Sequence, residues 1–126
     1  MSDSSLSTPA PPASAPAPGD VSNYRTSLIN LLNLLWDAIR RPSSTEAGDS
    51  IMDLAENVSD ILTQLNQAAL SNNAAQYAAL KPAVAAVNLQ LTSAQTEINN
   101  WVQVVSVASQ IVSAISQVIA LAAKVA

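Results

Sequence analysis

Residues 83–126 contain neither glycine nor proline, and a seven-residue hydrophobic repeat runs through them that suits helix and little else. With Val84 as position a, that position reads Val84, Leu91, Ile98, Val105, Val112 and Ile119, and position d reads Val87, Ala94, Trp101, Ala108, Ile115 and Ala122. A sustained spacing of 3.5 residues per turn implies supercoiling against a partner helix. Asn99-Asn100 is the one candidate break, and the repeat crosses it in phase. The pattern therefore predicts one continuous helix over about 82–125, roughly 66 Å long at 1.5 Å per residue.

The two halves of this stretch differ. Positions g and c are polar in the first half (Gln90, Ser93, Glu97, Asn100). In the second half they become Val104, Val107, Ile111, Ala114, Val118, Leu121 and Val125. VVSVASQ, IVSAISQ and VIALAAK follow one another as three like heptads, so the C-terminal half carries a second apolar seam beside the first. Two seams ask for two neighbours. The polar remainder is narrow: Gln103, Gln110, Gln117 and Lys124 in one row, with Ser106 and Ser113 beside it.

Upstream, Val21, Tyr24, Leu28, Leu31, Leu35 and Ile39 step by three and four, widened by Leu32 and Trp36, and mark a helix over about 21–41 that Pro42 ends. Both tryptophans, Trp36 and Trp101, lie on apolar faces and read as core. Ile51, Leu54, Val58, Ile61, Leu65 and Ala68 mark a second helix over about 50–70. Ser43–Glu46 and Ser50–Asp53 both have capping-box spacing, and Gly48 favours the later start. Ser71-Asn72-Asn73 predicts a turn. Residues 74–81 then form a short helical approach that Pro82 either ends or restarts. Residues 1–20, with five of the seven prolines among Ala and Ser, predict a disordered polyproline-like tail. Pro9 and Pro12 have PxxP spacing there, which a plain solvated linker also contains by chance.

Composition removes whole classes of chemistry. The chain of 126 residues has no Cys and no His, so it offers no thiolate or imidazole ligand, no disulfide and no imidazole base. Five Lys and Arg against nine Asp and Glu give a net charge of −4, a poor match to nucleic acid. Asp49, Asp53, Glu56 and Asp60 share a side of the second helix and read as a solvated acidic face near its positive end. No serine has a base to activate it, so the expectation is a non-enzymatic protein without cofactor or metal.

The expected fold is all-α: a bundle of three or four helices around a long C-terminal helix, residues 21–126 forming one domain behind the tail. In that arrangement the second seam is uncovered. About ten exposed apolar side chains would forfeit roughly 15–20 kcal/mol, more than a small domain can lose. Three resolutions are open. The chain self-associates through Val104, Val107, Ile111, Val118, Leu121 and Val125, as a homo-oligomer or with another helical protein, and this is the leading expectation. Alternatively the same face meets lipid, as a pore-forming or interfacial helix: Trp101–Ala123 is 23 residues without a charge, with Trp101 and Lys124 placed as interfacial anchors. In the third, the helix breaks at the paired asparagines and a soluble monomeric four-helix bundle closes both seams internally. The first 20 residues lack the basic and apolar regions of a secretory signal. That leaves the cytoplasm, export without such a leader, or association with a membrane.

Overall fold

The computed structural model describes residues 16–40, 42–71 and 74–125. Among these the chain forms four helices: α1 (Pro18–Ile39), α2 (Thr45–Ser71), α3 (Ala74–Trp101) and α4 (Val105–Val125). Each packs on its two neighbours in a ring, α1 on α2 and α4, α3 on α2 and α4. The connections are short, so successive helices run antiparallel, as in an up-down bundle. One end of the ring holds the α1–α2 and α3–α4 connections. The other holds the α2–α3 connection, the start of α1 and the end of α4.

The all-α bundle is as expected, but the continuous helix over 82–125 is not. The chain leaves helix at Val102–Val104 and folds back. What stops it is tertiary. Val102, only 4% exposed, forms an antiparallel bridge with Pro42, and the Ser43 N–H donates to the Trp101 carbonyl at 2.9 Å. The Ser43 hydroxyl donates to the Asn100 carbonyl. These bonds satisfy carbonyls at the end of α3 that a finished helix leaves without partners.

The repeat was also misleading about phase. α3 buries its a and d positions: Val84, Val87, Leu91, Ala94 and Ile98. α4 buries d and g instead: Ala108, Ile111, Ile115, Val118, Ala122 and Val125. The seam thus slips by one position at the junction. Val105, an a position, is 77% exposed, and Val112 and Ile119 are half-buried. The second apolar seam is therefore not surplus; it is the one that faces the core once the chain has turned back.

The other boundaries shift for local reasons. α1 starts at Pro18, inside the expected tail, because proline suits the first helical position, where no N–H is needed. Residues 1–15, including Pro9 and Pro12, lie outside the described residues. α2 starts at Thr45, not near Ser50: the Ser44 hydroxyl caps the Ala47 N–H at 3.0 Å, and Gly48 is accommodated within the first turn beside the Pro42 ring. Pro82 neither ends nor restarts a helix. It lies inside α3, which runs through it from Ala74, so the expected short helix over 74–81 is the first two turns of a longer one.

One core runs the length of the bundle, from Val21 and Tyr24 through Leu54, Leu91 and Ile111 to Val125. Tyr24 is fully buried, and its hydroxyl has no hydrogen-bond partner among the described residues. Burial pushes its pKa up to about 12. α2 and α3 are five to seven residues longer than α1 and α4. Leu70, near the end of α2, is 88% exposed.

Candidate functional site

The predicted association face is mostly spent inside the molecule. Ile111, Val118 and Val125 are buried. Val107 and Leu121 are half-buried against the core, and Val104 lies at the junction, 37% exposed. As a free second seam this set is corrected: α1 and α3 already cover it. The companion residues Gln103, Ser106, Gln110, Ser113, Gln117 and Lys124 are all at the surface.

Three of these line a groove between α1 and α4. A cavity of about 480 Å³ bounded by Asn23, Thr26, Ser27, Asn30, Gln117 and Leu121 meets a second of about 310 Å³ bounded by Asn30, Leu34, Gln110, Ser113 and Gln117. Its walls are carboxamides, hydroxyls and aliphatic groups with no charge. The Ser27 hydroxyl donates to the Tyr24 carbonyl at 2.7 Å. The groove can exchange neutral hydrogen bonds and no more.

The acidic side chains lie elsewhere. Asp49, Asp53, Glu56 and Asp60 are exposed on the outer and α3-facing flank of α2, and no group of three or more ligating side chains capable of holding a metal ion occurs among the described residues. Gln90 of α3 ties this flank across the seam. Its Nε2 donates to Asp53 Oδ2 at 3.2 Å, and its Oε1 accepts from Asn57 Nδ2 at 2.7 Å. Between α2 and α3 runs a groove of about 280 Å³ with Asp60 at its rim and Ile61, Ala83, Ala86 and Val87 along its floor. On the α3–α4 side, Gln95 Nε2 donates to the Val112 carbonyl at 3.1 Å and to Ser116 Oγ at 2.8 Å.

The surface feature that the sequence concealed lies on α1. Trp36, expected in the core, is 40% exposed, and Ile29 is 42% exposed. Helix phase puts both on the α2-facing flank of α1 with half-buried Leu32 between them. Met52, 38% exposed, lies on the α1-facing flank of α2 and widens the strip. Arg25 and Arg40, both exposed, stand at its two ends. The signal was present in the width of the apolar arc on α1, which is broader than one helix face can bury between two neighbours.

Family models, curated proteins and solved structures give no match to this chain.

Proposed function

We propose that this is a non-enzymatic, self-associating helical module, and that it associates as a closed bundle through its α1–α2 edge rather than through the C-terminal heptads. The observation that carries this reading is that Ile29, Trp36 and Met52 are exposed together in one strip, whereas the more exposed Leu70, Leu89 and Val105 lie singly elsewhere. Tryptophan is among the residues most enriched where binding energy concentrates. Covering the exposed two-fifths of three such side chains is worth about 2–4 kcal/mol, taking 1.5–3 for each complete burial. Bringing two molecules together costs about 4–15 kcal/mol, so the association is weak and needs polar contacts besides. Sedimentation of the purified chain over a wide concentration range tests it. A concentration-dependent oligomer that Ile29→Ser/Trp36→Ser abolishes, with helicity retained, supports the reading; a monomer throughout ends it.

A second reading, activity at a membrane, is favoured by α4. The most apolar 18-residue window of this 21-residue helix has a mean hydropathy of 1.7 and is one-third buried, and residues 98–123 carry no charge. By length and composition it can cross a bilayer. To do so it must leave α1 and α3, giving up the burial of Ile111, Ile115 and Val118. Flotation with neutral and with anionic vesicles decides: binding to neither removes this reading.

A further inference from the structure

The strip on α1 carries its own description of what it fits. Arg25 and Arg40 bracket Ile29, Leu32 and Trp36, fifteen residues apart, or about 22 Å along the helix. Pairing the strip with itself about a two-fold axis sets Arg25 of one copy beside Arg40 of the other, which like charge opposes. The complementary surface lies one edge further round the ring. Glu46, Asp49, Asp53, Glu56 and Asp60 run along the outer and α3-facing flank of α2, and Glu46 and Asp60 are fourteen residues apart, about 21 Å. Next to them is the shallow groove lined by Ile61, Ala83, Ala86 and Val87 together with Asn57, Gln64 and Gln90, whose small alanines leave room for the exposed edge of an indole.

We infer that two copies of the chain meet head to tail, the Arg25–Trp36–Arg40 edge of one lying along the acidic α2–α3 groove of the next. The inference rests on the self-association reading and specifies its geometry. The occupant is a second copy because both halves of the match, cation spacing against carboxylate spacing and apolar strip against small-residue floor, are present on one molecule. Such an interface uses different surfaces on the two partners, so it builds rings or filaments and not closed two-fold dimers. It also brings exposed charges together, so added salt weakens it.

Charge exchange tests this. Four samples of the full chain are compared by sedimentation velocity: wild type, Arg25→Glu/Arg40→Glu, Glu46→Lys/Asp60→Lys, and an equimolar mixture of the two variants. The altered positions are exposed, and circular dichroism checks that the helices persist. Wild type is expected to associate, with its affinity falling at least about tenfold from low to about 0.5 M salt. Each variant alone is expected to be monomeric, and the mixture to associate again, because each reversed surface then finds a reversed partner. If wild type associates while the mixture stays monomeric, or both variants associate as wild type does, this interface is wrong and self-association stands. If wild type is monomeric at low salt, both fall. Should a charge reversal unfold the chain, Arg25→Gln/Arg40→Gln and Asp60→Asn serve instead: each must weaken association, and no change overturns the interface.

Discussion

The two ends of the bundle are held by different means. At the junction end, Pro42 bridges Val102, Ser43 donates through both its N–H and its hydroxyl to the end of α3, and Ser44 caps α2. At the open end Leu70 stands in solvent, and Tyr24 buries a hydroxyl that has no partner among the described residues. There too a cavity of about 330 Å³ lies among Pro18, Val21, Arg25, Ala69 and Tyr77. The junction end fixes where helices stop, by pairing backbone groups that would otherwise be orphaned. The open end is held mainly by apolar packing, with a side-chain bond between α2 and α3 from the Ser71 hydroxyl to Gln76 Oε1 at 2.7 Å.

The largest effect tests the fold-back of α4 that the junction sets up. Ile111→Glu/Val118→Glu puts two charges at fully buried sites, where an unpaired charge costs several kcal/mol each. Far-UV circular dichroism should show the whole bundle unfolded. Retained helicity would mean that α4 does not fold back onto its neighbours. Next comes Ser43→Pro, which deletes both the N–H given to the Trp101 carbonyl and the hydroxyl given to the Asn100 carbonyl; a loss of about 1–3 kcal/mol in chemical denaturation is expected. An unchanged midpoint would show that the junction bonds do not hold that end.

At the open end the sign reverses. Tyr24→Phe removes the unsatisfied hydroxyl and should raise stability by about 1 kcal/mol. It should also flatten the alkaline limb. The folded-state pKa of about 12 lies above the ordinary value of 10, so the neutral phenol's contribution is complete below pH 10 and is lost as pH rises towards 12. That loss amounts to roughly 2–3 kcal/mol at the upper limit. A wild-type stability that stays flat from pH 9 to 12 would contradict the burial. Smallest of all, Leu70→Ser should change the unfolding free energy by less than about 0.5 kcal/mol; a clear loss would show the Leu70 side chain to be packed.

The four-helix fold was within reach of the sequence because the inward faces of the helices are written in steps of three and four. Tyr24, Leu28 and Leu35, Leu54 and Leu65, Val84 and Leu91 are each where the periodicity put them. What the periodicity could not show was where the chain turns. Pro82, the strongest breaker in the body of the chain, lies within α3, while Val102-Gln103-Val104, with no breaker at all, is a connection. The first is tolerated because packing outweighs one lost hydrogen bond. The second is imposed from outside, by Pro42 and Ser43. The slip from a/d to d/g was hidden because α4 is apolar at a, c, d and g together, so any of several phases looks complete. The strip on α1 was hidden for the same reason: Trp36 continues an apolar arc, and only the positions of two neighbouring helices show which part of that arc remains outside.

Because α1 begins and α4 ends at the open end of adjacent helices, Ala17 and Val125 leave the molecule on the same side. A short linker between them should therefore give a circular permutant, with new termini cut between α2 and α3. For the same reason, a tag or reporter fused to either terminus would emerge well away from the knot formed by Pro42, Ser43 and Val102, and the choice of fusion end should matter little to folding.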